Sequence, residues 1–191
     1  DLVTHFVGRG FTGEAMYVGL DKAAAVRMYN LVREAWTEHL ADLKAEHDAL
    51  PELERPWLAS RIELMETTDM AVVVSQAQNE IAHLEAQGLD IRPHRKRMND
   101  EDLAEKFKAA DDPLRIVFVC AMWMTGFDAP SVSTIYLDRP MRNHTLMQTI
   151  ARANRVFPDK DNGLIVDYIG VFRNLEKALA IYGAANAEAG V

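Results

Sequence analysis

The 191-residue sequence contains one cysteine, Cys120, so no disulfide closes within the chain. Cys120 sits in the apolar run "RIVFVCAM", which predicts a reduced, buried thiol in a cytoplasmic protein. No apolar run approaches the roughly 18 residues that a membrane span needs, and no secretory signal pattern is present, so no membrane partner is expected. Positive charge is in deficit. The formal net charge of -8 excludes a generally basic nucleic-acid binder but leaves room for a local basic strip. The histidines show no metal spacing: His39 and His47 stand two helical turns apart and no cysteine joins them, so no zinc or other metal site is expected. Nothing matches the phosphate loop G-x-x-x-x-G-K-[ST], and no expected strand ends in an acidic D-E-x-x box. The chain begins without Met, at "DLVTHFVGRG", which gives the expectation that it is a fragment of a longer polypeptide.

What is present reads as alternating strands and helices. "AMYVGL" is a short apolar strand candidate. After it Asp21 can cap a helix of about 28 residues, roughly 40 Å, that Pro51 ends. A second helix is expected from Leu53 to about Thr68, with Pro56 in its first turn, so the pair forms a helical hairpin inserted between strands. "MAVVVS", "RIVFVCAM", "STIYLD" and "NGLIVDYI" are further strands, rich in β-branched residues as fully buried parallel strands are. Helices are expected from Gln76 to about Gln87, from Asn99 to Ala110, from Asn143 to about Val156, and over "VFRNLEKALAIYG". "LDIRPHRKRMN" reads as a polar, basic connection. Such alternation implies βαβ units and a mainly parallel sheet with helices on both faces. The expected domain map is an entry segment at 1–14, one α/β domain at 15–183 with the helical insertion at about 31–69, and a frayed end at 184–191.

In such sheets ligands collect beyond the carboxyl ends of the strands. The strand "RIVFVC" leads there into "AMWMTGFDAPSV". Thr125 offers a hydroxyl and a backbone N–H to a phosphate; Asp128 can accept from a ribose hydroxyl or anchor an arginine, or simply satisfy its own turn. The next strand delivers "RPMRNH", with Arg139, Arg142 and His144, and then a helix carrying Gln148, Arg152 and Arg155. Spacings of four and three residues place these last three on one helical face. Guanidinium forks match phosphate oxygens in pairs, and two of them one turn apart can grip a polyphosphate. A solvated face with surface ion pairs is the plainer alternative.

The two loops together carry a resemblance. "TGFDAP" and "QTIARANR" resemble motifs V and VI of superfamily 2 helicases and translocases, with Ala151 and Asn154 standing where that pattern has glycines. The longer string from Asp111 to Gly170 is similar to the motor subunit of type I restriction enzymes, whose motif VI is ARANR-like. "HFVGRG" and "AMYVGLDKAAAVRMYN" resemble that family's motif IV region, with Asp21 and Lys22 where a Ser-Arg pair is common. The resemblance implies a RecA-like second motor domain. In the family two such domains clamp ATP and Mg²⁺ between them and walk along double-stranded DNA.

By that resemblance Arg152 and Arg155 are expected as arginine fingers at the γ-phosphate, with Gln148 helping to position them or sensing nucleotide. Gly126 and Asp128 would lie near the nucleotide. Thr125 would lie at the DNA backbone or at the coupling between both ligands, and Arg142 and, from the basic run, Arg95 would meet the DNA backbone; a solvated loop balanced by the acids of "NDEDLAE" is the plainer alternative for that run. The implied partners are the first RecA-like domain and the nuclease domain of the same chain, and the methyltransferase and specificity subunits of the complex. The isolated fragment is expected to be inactive. Two alternatives stand beside this reading: the motor of another superfamily 2 helicase, and a non-catalytic nucleic-acid-binding scaffold of the same fold.

Overall fold

A computed structural model describes residues 2–10, 13–124, 127–141, 143–153 and 163–172. Five strands form one sheet in the order β2-β3-β1-β4-β5, every neighbouring pair parallel. They are β1 (Glu14–Gly19), β2 (Asp69–Val73), β3 (Leu114–Val119), β4 (Val132–Asp138) and β5 (Leu164–Asp167). All five match the expected runs. β1, β3 and β4 are buried almost throughout, which is why their sequences read as continuous apolar stretches.

Two cores lie on opposite faces of the sheet. Ala15, Tyr17, Met70, Val72, Ile116, Phe118 and Tyr136 point to one face. Met16, Val18, Ala71, Val73, Val117, Val119, Ile135 and Leu137 point to the other. This is the period-two alternation of strand side chains. The architecture is α/β with a parallel sheet flanked by helices on both faces, consistent with a RecA-like fold.

The first face carries α1 (Leu2–Gly8), the 28-residue α2 (Lys22–Ala49) and α3 (Pro56–Thr67). The Asp21 side chain accepts from the Ala24 N–H at 2.7 Å, as a cap should, and Pro56 occupies the first turn of α3. α2 and α3 form the expected hairpin between β1 and β2. Trp36 is 3% exposed and donates its indole N–H to the Met65 carbonyl at 3.0 Å, which pins the two helices together.

The segment expected as an entry into the domain is instead the helix α1. Its Leu2, Val3, Phe6 and Val7 recur at helical spacing and are buried in the first core. The helix expected over 76–87 contracts to α4 (Glu80–Glu85).

The basic run expected as a connection is a helix, α5 (Arg92–Asp100). Partners distant in sequence make this stable. Arg97 binds Asp69 and Glu101, and Arg95 binds Glu80, so the positive charges are neutralised on the fold rather than left to repel. α5 also takes Asn99 into its own last turn. Asp102, not Asn99, caps α6 (Leu103–Lys108), accepting from the Glu105 N–H at 3.1 Å. On the second face lie α6 and α7 (Asn143–Ala153). The expected terminal helix lies outside the described residues apart from its first two, as does the end at 184–191.

Candidate functional site

β1 continues through α2 and α3 to β2 on one side of the sheet, whereas β4 continues through α7 to β5 on the other. The carboxyl ends of β1 and β4 therefore flank the point where the chain changes direction, which is where open α/β sheets bind ligands. Gly19 of β1 pairs with Asp138 of β4 there. The Tyr17 hydroxyl donates to Asp138 Oδ2 at 2.5 Å. The next residue, Arg139, sends its guanidinium to the Cys120 carbonyl at the end of β3. Three strand ends are thus tied by two side-chain hydrogen bonds. Cys120 is a free, buried thiol, as expected, and burial pushes its pKa upward.

The β3 end opens into the turn that precedes the Thr-Gly-Phe-Asp sequence. Met124 donates its N–H to the Ala121 carbonyl at 3.2 Å. Met124 is buried, Trp123 half-buried, and Met122 is 38% exposed. Of the three residues that precede the loop, Met124 packs fully into the core, Trp123 packs through stacked rings, and Met122 faces out.

Met124 and Ala129, on either side of the loop, belong to the same core cluster as Leu146 and Ala153 of α7. The loop and the helix thereby share one face of the sheet. Along α7, Leu146, Thr149 and Ala153 are buried while Gln148 and Ala151 are exposed. The buried residues recur at a spacing of three and four, so the helix turns one face to the core and holds Gln148 away from it. Position 152 stands one turn on from Gln148. Asp128 is exposed at the loop's far end. Thr125, Gly126, Arg142 and Arg155 lie outside the described residues, as do the side chains of Arg152 and His144.

Arg95, expected at a DNA phosphate, is engaged inside the domain. Its Nε and Nη2 donate to the two Glu80 oxygens at 2.8 and 3.0 Å, and its Nη1 and Nη2 donate to the Val74 and Ser75 carbonyls at 3.1 and 3.2 Å. Lys22 approaches Glu80 at 3.4 Å, and the Ala77 N–H donates to Glu80 at 3.1 Å. Burial raises the pKa of this carboxylate, but the Arg95 guanidinium, the Ala77 N–H and Lys22 outweigh it and hold the pKa below its usual value. Lys22 is one of the two residues that depart from the motif IV pattern, and its ammonium here ties the start of α2 to α4. Sequence gave no local signal for this network, because its members are 15 and 58 residues apart.

At the end of β5, Asp167 accepts from the backbone N–H groups of Ile169 and Phe172, at 3.2 and 2.9 Å. Burial pushes its carboxyl up, yet the backbone donors from Phe172 to Ile169 prevail and keep it below the usual carboxylate range. Asp167 thus supports the turn that follows β5. Among the described residues no group of three His, Cys, Asp or Glu side chains could hold a metal ion. No described helix is long and apolar enough to cross a membrane.

Comparison with known proteins decides the family. Residues 14–170 match the family model described as type I restriction enzyme subunit R domain 3. The chain belongs to that family. A putative type I restriction enzyme MjaIXP endonuclease subunit from Methanocaldococcus jannaschii is 35% identical over 187 residues, covering 96% of this chain and 15% of the relative. The type I restriction enzyme HindI endonuclease subunit from Haemophilus influenzae is 49% identical over 89 residues, 45% of this chain and 8% of the relative. The R-subunit domain therefore spans a small part of these relatives' length.

Proposed function

We propose that this R-subunit domain is the second RecA-like motor unit of an ATP-driven translocase of double-stranded DNA in a type I restriction-modification enzyme. The observation that supports the reading is that the loop after β3 and the helix α7 pack on one sheet face, with Gln148 exposed on α7. Arg152 and Arg155 act as the guanidinium pair at the γ-phosphate of ATP, and Gln148 positions them. Gly126 and Asp128 line the nucleotide side. Thr125 and Arg142 meet the DNA backbone, and Arg95 shapes the strand ends beside it through Val74 and Ser75.

ATP supplies the phosphoryl group whose hydrolysis drives movement, and Mg²⁺ neutralises its charge. The domain's own contribution is donors aimed at that charge. The phosphate loop and the Mg²⁺ carboxylates are assigned to the first RecA-like domain of the longer protein, together with the nuclease domain. Methyltransferase and specificity subunits complete the assembly.

The test uses the full-length protein. Arg152→Ala or Arg155→Ala is expected to lower DNA-dependent ATP turnover by about 10³-fold or more, the scale of an arginine finger, with DNA affinity kept within a few-fold. Unchanged turnover with weakened DNA binding would favour a non-catalytic scaffold and overturn the assignment.

A further inference from the structure

The turn that leaves β3 holds a bulky residue in a backbone conformation that bulky residues avoid. Trp123 has a φ of 65°, in the left-handed region where Cβ crowds the following carbonyl. Such a residue persists only where its surroundings over-determine it, and these cases concentrate at functional loops.

Among the described residues, two rings hold Trp123, beside the core cluster it packs against. Trp123 stacks on Phe127 with centroids 4.1 Å apart and planes 15° apart. Phe107 of α6, fully buried, lies 5.7 Å from the Trp123 ring and 6.5 Å from that of Phe127, within 26° of parallel to each. Lys108, next on α6, places its ammonium 5.3 Å from the Phe127 ring centre. Trp123 also borders a cavity of about 550 Å³ that Met98, Asn99, Leu103 and Met122 help to line. The indole is therefore not enclosed by packing on every side, and the two phenylalanine rings supply its restraint.

The stacked pair stands four residues apart and brackets Thr125 and Gly126; Asp128 follows directly. A cluster that served only the core would have no need of a left-handed tryptophan beside a cavity. We infer that the Phe107–Trp123–Phe127 stack is a clip that fixes the loop between β3 and β4. Trp123 is then a positioning residue for ATP-coupled movement on DNA. It acts through Thr125, Gly126 and Asp128 rather than on either ligand. This inference rests on the function proposed above. It adds that the strain at Trp123 is held by α6, so α6 sets the loop's geometry.

The experiment compares three variants of the full-length protein. Trp123→Gly relieves the backbone and removes the ring, Phe107→Leu loosens the stack from the α6 side, and Trp123→Phe keeps a ring. Hydrogen exchange of 120–130 is expected to rise about tenfold or more in the first two, with 114–119 changed less than about twofold. Their DNA-stimulated kcat is expected to fall about tenfold at an ATP KM within about twofold, and Trp123→Phe to stay within about threefold of the parent.

Unchanged exchange in both Trp123→Gly and Phe107→Leu would remove the clip. Raised exchange with kcat reduced only in proportion to the unfolded fraction would leave a structural stack and overturn the positioning role. If Trp123→Gly does not fold, Phe107→Leu decides alone. Arg152→Ala in the same protein keeps the two readings apart: its full activity would sink the proposed function, while exchange would still decide the clip.

Discussion

Tyr17 and Asp138 lie 121 residues apart in sequence and meet through a 2.5 Å hydrogen bond where the ends of β1 and β4 flank the change of chain direction. Tyr17 is 1% exposed, and burial, followed by its bond to Asp138, pushes the phenol well above its usual range. Tyr17→Phe keeps the ring and removes the donor. The expected loss is about 1–2 kcal/mol, near the lower end for a hydrogen bond to a charged acceptor because Asp138 keeps some access to water. Urea unfolding should show a lower midpoint with an unchanged slope. The raised phenol pKa stabilises the fold fully below the ordinary value of 10.0, and that stability is lost as pH rises beyond it. The parent should therefore weaken more steeply than the Phe variant in alkali.

Arg95 separates two roles that a basic residue can play at a strand end. A phosphate contact would make Arg95→Ala reduce the salt dependence of DNA binding by about 0.9 in slope. A guanidinium already bound to Glu80, Val74 and Ser75 predicts a stability loss instead. Glu80 is 8% exposed, and removing Arg95 leaves it with Lys22 as its remaining charged partner in this network. Breaking a buried pair in this way costs about 3 kcal/mol. The expected result is a drop of that size by denaturation with an unchanged slope of log affinity against log salt. A flatter slope at unchanged stability would restore Arg95 as a DNA contact.

The strands were legible because parallel strands covered on both faces need no polar alternation, and "RIVFVC" and "AMYVGL" show none. α2 was legible because its cap, Asp21, and its stop, Pro51, are local. Strand order was not, since β3 and β4 reach β1 through pairings about 100 residues apart. α5 was misread because the charges that neutralise it, Asp69 and Glu80, sit elsewhere in the chain. α1 had a usable signal in the spacing of Leu2, Val3, Phe6 and Val7. At the site, the exposure of Gln148 was written in the spacing of the buried residues of α7. The engagement of Arg95 and the left-handed Trp123 were not, because neither follows from residue type.

Glu14 opens the central strand β1, at the amino ends of the strands and away from the candidate site, and is 3% exposed. Burial raises its carboxyl pKa, against the pull of the Ser131 hydroxyl and the Arg115 and Arg9 guanidiniums, and Oε2 has no hydrogen-bond partner among the described residues. The folded chain thus holds this proton more tightly than the unfolded chain. Stability is greatest below the ordinary carboxyl value of 4.5 as far as this group decides it, and falls as pH rises toward the raised folded value. Glu14→Gln removes the ionisation. It is expected to flatten that decline and to leave the 191-residue chain at least as stable as the parent at pH 8. Urea midpoints for both proteins from pH 4 upward measure it. A variant that loses stability at pH 8 would show that Arg9 and Arg115 outweigh burial.

ATP turnover by the 191-residue chain alone tests where the active site is completed. The sequence holds no phosphate loop, so the proposed division of labour gives it one wall of the nucleotide pocket. An arginine pair stabilises charge that develops on the γ-phosphate, and that help is worthless unless another surface has already fixed the phosphates and the metal. The chain alone is therefore expected to hydrolyse ATP no faster than a buffer control, with or without DNA. Adding Arg152→Ala should change nothing in that background, although the same substitution is expected to lower turnover about 10³-fold or more in the full-length protein. Robust hydrolysis by the chain alone, lost on Arg152→Ala, would place a complete active site within these residues.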